Sequence, residues 1–143
     1  MTAIDSLAPA IAPVRHESDL PVLRRHVRRL GRGQGLSHVQ IEALATAVSE
    51  IARNVLDHAA GGDATVTACR EPARHGVVVV LRDAGAGIPD VARALQDGYT
   101  SRGGLGLGLA AAQRMVDEFS IQTEPGAGTV VTLAQWVRDP RDA

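Results

Sequence analysis

The chain contains no lysine, so all fifteen of its basic residues are arginine. A Walker-type phosphate loop uses a lysine to reach the β- and γ-phosphates, and that class of nucleotide site is therefore excluded. Such an arginine bias is also what a GC-rich coding genome produces. Cys69 is the only cysteine, which rules out an internal disulfide or a multi-cysteine metal site and makes a reducing compartment the simpler expectation. Aromatic residues are limited to Tyr99, Phe119 and Trp136, so the core must be built from Val, Leu, Ile and Ala. No apolar run approaches the roughly 20 residues of a membrane span, and Met1 to Ala10, with Asp5 and no arginine, lacks the basic start of a signal peptide. The expected location is the cytoplasm. A formal charge of -1 and a pI near 6.5 give no electrostatic reason to expect nucleic acid or an anionic membrane as the main partner.

At 143 residues the chain suits one domain able to bury an ordinary core unaided. The expected layout is a loose segment over 1–10, a single domain over 11–137 and a tail over 138–143. Ile11 to His16 reads as a short strand that Pro13 confines to a sheet edge, followed by a turn at Glu17, Ser18 and Asp19. Leu20, Leu23, Val27 and Leu30 recur at spacings of three and four, predicting an amphipathic helix over 19–30 that ends at Gly31, Gly33 and Gly35. Ser37 and Gln40 form a capping-box pattern, and Ile41, Leu44, Ala45, Val48, Ala52 and Val55 then trace one apolar stripe of a long helix. After Gly61 and Gly62 the period changes to two, predicting a strand. Glu71 to Gly76 reads as a turn, and the β-branched run from Gly76 to Asp83 predicts a central strand covered on both faces. A short helix is expected within 89–97, a longer one over 105–118, and a closing hairpin from 119–123 and 129–137 across P-G-A-G. The order does not alternate as a parallel Rossmann sheet would. It predicts an α/β two-layer sandwich, with a mixed, mostly antiparallel sheet and helices on one face.

Three motifs carry the chemistry. S-E-I-A-R-N at Ser49 to Asn54 lies in the long helix, and measured from Ile41 its Glu50 and Asn54 fall at roughly 180° and 220°, away from the apolar stripe. Taken alone, that is an ordinary solvated face. D-A-G-A-G-I at Asp83 to Ile88 ends a strand in two glycines, where the backbone can pass close to a flat ligand and the carboxylate can accept from an exocyclic amine. A plain Asx-turn is the alternative. G-G-L-G-L-G-L at Gly103 to Leu109 precedes a helical pattern, so main-chain amides could hold phosphates without lysine, aided by Arg102. A flexible glycine loop beside a solvated arginine is the alternative there. An Asn oxygen suits a Mg²⁺ that already carries phosphate oxygens and waters, and a carboxylate one turn earlier suits a hydroxyl nucleophile. Together the three motifs point to metal-assisted phosphoryl transfer.

With those residues in place, the chain resembles the GHKL ATPase superfamily of gyrase, Hsp90, histidine kinases and MutL, over about 11–137. Within it the chain looks most like the RsbT-type bacterial switch serine/threonine kinases, relatives of the anti-sigma-factor kinases. The residues that discriminate are S-E-I-A-R-N at Ser49, D-A-G-A-G-I-P-D at Asp83, D-G-Y-T-S-R-G-G-L-G-L-G-L from Asp97, R-M-V-D-E-F at Arg114 and G-T at Gly128. The resemblance implies a Bergerat-type sandwich binding ATP and Mg²⁺, with Glu50 as the base and Asn54 as the metal ligand. It further implies that Asp83 reads adenine with support from Thr129, that Gly85, Gly87 and Ile88 shape the adenine pocket, and that Arg102, Gly104, Leu105, Gly106, Leu107 and Gly108 enclose the phosphates. The implied partners are a STAS-domain antagonist as substrate and a PP2C-type phosphatase, within a partner switch such as a stressosome. The alternative is an anti-sigma factor or nucleotide-dependent module that sequesters a sigma factor with little turnover. One departure is Ala110 to Ala112, where RsbT-type sequences often carry proline and glycine. His16 superficially resembles a phosphoacceptor box, but its segment is interrupted by Pro13 and Pro21, and it reads as an ordinary strand-end residue. His58 is assigned no chemistry. The loop over 89–102 reads as a short ATP lid.

Overall fold

The computed structural model describes residues 8–59, 61–85, 87 and 108–138. Among these, β1 (Ala10–Val14) is followed by helices α1 (Asp19–Gln34) and α2 (His38–His58). The antiparallel strands β2 (Gly62–Arg70) and β3 (Arg74–Asp83) come next, then α3 (Leu109–Met115), β4 (Glu118–Glu124) and β5 (Gly128–Arg138). The five strands form one sheet in the order β1-β2-β3-β5-β4, and every pairing is antiparallel. The expected mostly antiparallel sheet is thus antiparallel throughout the described strands. Pro13 lies in the edge strand, as expected of a residue with no N–H to donate.

One sheet face carries the core. Val14, Val66, Val79, Leu81 and Leu133 join Leu23, Val27, Leu44 and Val48 of the two long helices in a single buried cluster. Alternation in the strands and the 3.6-residue period in the helices aim these side chains at one interior. Among the described residues Trp136 is the only aromatic in the buried core. Its ring lies 3.8 Å beneath the Arg74 guanidinium.

β3 is central but is not covered on both faces. Val77, Val79 and Leu81 are buried while Val78 and Val80 are half-exposed, because the described helices pack on one side only and the continuous valine run disguises an alternation. The first helix also runs past its expected end. Gly31 and Gly33 lie inside α1, and the helix stops at Gly35, whose left-handed φ of 80° lets its N–H close on Arg32 and Gly31 carbonyls. Gly31 is needed for close approach, since a Cβ there would stand 2.9 Å from Ile41 Cγ1.

The capping box at α2 forms as expected, with Gln40 N–H donating to Ser37 Oγ at 3.1 Å and Ser37 N–H to Gln40 Oε1 at 3.0 Å. β1 ends two residues earlier than expected, where Asp19 Oδ2 accepts from the N–H groups of Arg15 and His16. His16 therefore serves the turn before α1. β3 begins earlier than expected, at Arg74, and the closing hairpin forms from β4 and β5. α3 ends at Met115 rather than 118, because the next residues enter a polar tie. Gln135, 3% exposed, donates to the Gln40 and Met115 carbonyls, each at 3.1 Å, and accepts from Asp117 N–H. Asp117 in turn accepts from Trp136 N–H at 2.8 Å. One buried amide thereby joins the start of α2, the end of α3 and β5. The helix expected over 89–97 and the lid over 89–102 lie outside the described residues.

Candidate functional site

α2 carries Glu50 and Asn54 one turn apart, both half-buried. The surrounding turn is fixed by flanking contacts: Ser49 Oγ accepts from Arg24 at 3.2 Å and donates to the Ala45 carbonyl at 2.8 Å. Arg53 pairs with Glu17 at 2.7 Å, which holds the Glu17 carboxyl below its usual range, chiefly through the guanidinium hydrogen bond. Among the described residues the Asn54 carboxamide has no hydrogen-bond partner. It remains available to a ligand.

The last glycine of the third motif meets this carboxylate. Gly108 caps α3 with φ 80°, and a Cβ there would fall 2.6 Å from Glu50 Oε2 and 3.0 Å from Glu50 Cβ. Only a residue without a side chain lets the loop backbone lie this close to the α2 face. Residues 58 positions apart in sequence are thus neighbours in space, and the helix that follows begins at once, with Ala112 N–H bonded to the Gly108 carbonyl at 2.7 Å.

The second motif sits where β3 ends. Asp83 Oδ1 accepts from Gly85 N–H at 2.8 Å, so the Asx-turn does form, and it orients the carboxyl group. Asp83 pairs in register with Thr129 of β5, whose side chain shares a 3.0 Å hydrogen bond with Thr123. Gly87, at φ 82°, packs so tightly on β4 that a Cβ would meet the Glu124 carbonyl at 2.6 Å. Gly85 is similarly wedged, with an added Cβ 3.0 Å from Ala59 Cβ. A hollow of about 230 Å³ opens beside Asp83 and Thr129, walled by Thr123, Gln122 and Val130. Thr123 was not anticipated from sequence. Its only local signal is a threonine at the strand end opposite the G-T pair.

This arrangement of helix, strand-end glycines and helix-capping Gly108 accompanies a match to a known family, whose model, the histidine kinase-like ATPase domain, covers residues 13–135. The chain belongs to that family. As a histidine kinase-like ATPase domain it is 33% identical over 122 residues to the serine/threonine-protein kinase RsbT of Bacillus subtilis, covering 85% of this chain and 92% of that protein. It is 30% identical over 109 residues to the anti-sigma F factor of Pasteuria penetrans, covering 72% and 73% of the two chains. Among solved structures, the RsbU and RsbW domains of a Mycobacterium tuberculosis protein share the fold with a TM-score of 0.63 at 20% identity. That match covers 93% of this chain and only 33% of the other. The mycobacterial sensor histidine kinase MprB shares the fold at TM-score 0.55 and 18% identity, covering 92% and 98%.

Within this histidine kinase-like domain, Glu50, Asn54, Asp83, Gly85, Gly87, Gly108 and Thr129 fall among the described residues, whereas Ile88, Arg102, Gly104, Leu105, Gly106 and Leu107 lie outside them. The strand register and the Cβ contacts bring together Glu50 with Gly108, and Asp83 with Gly85 and Thr129. No cluster of three or more His, Cys, Asp or Glu side chains that could hold a metal occurs among the described residues. No helix of the described residues is long and apolar enough to cross a membrane.

Proposed function

We propose that this chain is an ATP-dependent serine/threonine-protein kinase of a bacterial partner-switching pathway. Its relatedness to RsbT and to anti-sigma F factors supports the pathway, and the seating of Gly108 against Glu50 supports catalysis. That contact is the observation the reading rests on, because it sets a carboxylate against the end of the loop proposed to enclose phosphates.

The residues present suit an adenine nucleotide with a divalent ion. Asp83 offers a carboxylate oriented by Gly85 N–H, with the Thr123–Thr129 hydroxyl pair beside it, which fits recognition of an exocyclic amine. Ile88 would add an apolar contact to the base. Gly104, Leu105, Gly106, Leu107 and Gly108 would supply main-chain amides to the phosphates, with Arg102 as the cationic contact that the absent lysine cannot provide. The Asn54 oxygen is one neutral ligand, and the lack of an acidic cluster among the described residues is compatible with Mg²⁺ held largely by phosphate oxygens and water. Bound Mg-ATP would supply the transferable γ-phosphoryl group and neutralise its developing charge. Glu50 would orient a protein serine or threonine hydroxyl and accept its proton as that oxygen bonds to the γ-phosphorus and the bond from phosphorus to the β–γ bridging oxygen breaks, with ADP as the leaving group.

A STAS-domain antagonist is the proposed substrate and a PP2C-type phosphatase the proposed second partner. Glu50→Gln keeps the shape but removes the acceptor charge, and should lower phosphoryl transfer to a STAS-domain protein by roughly 10²- to 10⁴-fold. Calorimetric ATP affinity should stay within about threefold, under 1 kcal/mol. Undiminished transfer would remove Glu50 from the mechanism. ATP binding without transfer by the parent chain would instead favour an anti-sigma factor, the activity named for several relatives.

A further inference from the structure

α1 and α2 lie side by side, and their contacts fix how. Arg24 reaches Ser49 at 3.2 Å, while Arg28 forms two 3.0 Å hydrogen bonds with Glu42. The N-terminal half of α1 thus lies beside the Glu50 end of α2, and its C-terminal half beside the start of α2. Five arginines, at 24, 25, 28, 29 and 32, span a sector of about 140° of α1, from Arg24 and Arg28 on the α2 side across the solvent face at Arg32 and Arg25 to Arg29, whose guanidinium hydrogen-bonds His26 at 3.0 Å. Arg25, Arg29 and Arg32 form no ion pair among the described residues. In a chain of net charge -1 this concentration of positive charge is local.

The neighbouring solvent face of α2 carries an uncharged line. Val39, 77% exposed, is followed by the half-buried Ala43, the exposed Thr46 and then Glu50, at spacings of four, three and four. These positions fall within about 60° of one another, on a line about 16 Å long. Between the two helices a cleft of about 430 Å³ has Leu36 and Ile41 at its floor and Arg28, Arg32, His38 and Glu42 at its rim, where the Glu42 carboxylate is already paired with Arg28. The apolar part of this surface is therefore its start, at Val39 and the cleft floor. From there a track of small uncharged side chains, flanked by guanidinium groups, leads to the proposed base.

The geometry points to a docking track for an acidic, amphipathic protein segment, whose apolar side chains lie over Val39 and Ala43 and whose carboxylates meet Arg25, Arg29 and Arg32. Such a segment would continue past Thr46, which is short enough not to block it, and bring the hydroxyl to be modified to Glu50. This inference rests on the kinase reading and names the chemistry of its substrate. Charge complementarity selects an acidic partner, and the exposed Val39 favours a protein over a nucleic acid backbone, which would make no use of it.

The test uses a fluorescein-labelled peptide of about 20 residues, built from Glu, Leu and Ala with one central Ser so that leucines fill one helical face. A second peptide has Lys in place of Glu, and a duplex DNA serves as a further probe. Anisotropy should show binding of the acidic peptide, weakened at least about tenfold both by the combined Arg25→Glu, Arg29→Glu and Arg32→Glu variant and by Val39→Asp. Arg82→Glu, exposed on β3, should leave binding unchanged. Calorimetric ATP binding, measured on the same samples, keeps the two ideas separable: its absence defeats the kinase reading, and its retention shows that the variants are folded. The docking track is overturned if the wild-type chain does not bind the acidic peptide, or if the lysine peptide or the DNA binds as well or better. It is also overturned if either the triple reversal or Val39→Asp leaves peptide binding intact.

Discussion

Gly108→Ala separates two costs that usually arrive together. An L-residue forced to φ 80° loses roughly 1–2 kcal/mol, which for a domain of this size lowers Tm by about 3–8 °C. The added Cβ would also stand 2.6 Å from Glu50 Oε2 and 3.0 Å from Glu50 Cβ, so the carboxylate must swing aside. A displacement on the order of 1 Å at a reacting group costs about 10²-fold in rate. Gly35→Ala provides the control, because Gly35 has the same φ of 80° with nothing within 4 Å of its would-be Cβ. Both variants should therefore lose similar stability by thermal melting, and only Gly108→Ala should lose phosphoryl transfer. Equal transfer by the two variants would refute the claim that this contact sets the position of Glu50.

Three further substitutions test the scaffold. Gly33→Ala, with open space around the added methyl, should stabilise α1 by about 0.5–1 kcal/mol. Gly31→Ala should destabilise, because overpacking against Ile41 at 2.9 Å costs about 1–3 kcal/mol; urea midpoints that rise for both would contradict the close α1–α2 approach. The N–H groups of Arg15 and then His16 hold the Asp19 carboxyl below its usual range. Its contribution is accordingly complete above the unfolded carboxyl pKa of about 3.9 and is lost as pH falls through the lower folded value. Asp19→Asn should lower stability at neutral pH and flatten the acid limb of a urea-unfolding series, and curves that stay parallel down to low pH would show that this turn contributes nothing.

Local chemistry made much of the fold legible. The Ser37–Gln40 capping box, the edge position of Pro13 and the P-G-A-G hairpin each depend on a few neighbouring residues, and each forms as expected. The errors arose where distant segments decide. Gly31 looks like a helix stop until Ile41 is placed against it. The valine run of β3 looks doubly buried until the described helices are found on one face alone. Gln135 is an ordinary strand glutamine in sequence, and only its buried bonds to Gln40, Met115 and Asp117 reveal it as the tie among three elements.

The sequence by itself determined which chemical groups this domain has to work with: a carboxylate and a carboxamide one helical turn apart, a strand-end aspartate entering glycines, and a lysine-free basic complement made wholly of arginine. Spacing along a helix is a local property, so it could be read without the fold. Tertiary structure alone decided that Gly108 rests on Glu50, that Thr123 supports Thr129, and that the arginines of α1 flank the uncharged face of α2. The first and last join segments distant in the chain and exist only once the helices bury their apolar stripes against one face of the sheet, whereas the two threonines, six residues apart, meet once β4 and β5 pair in register.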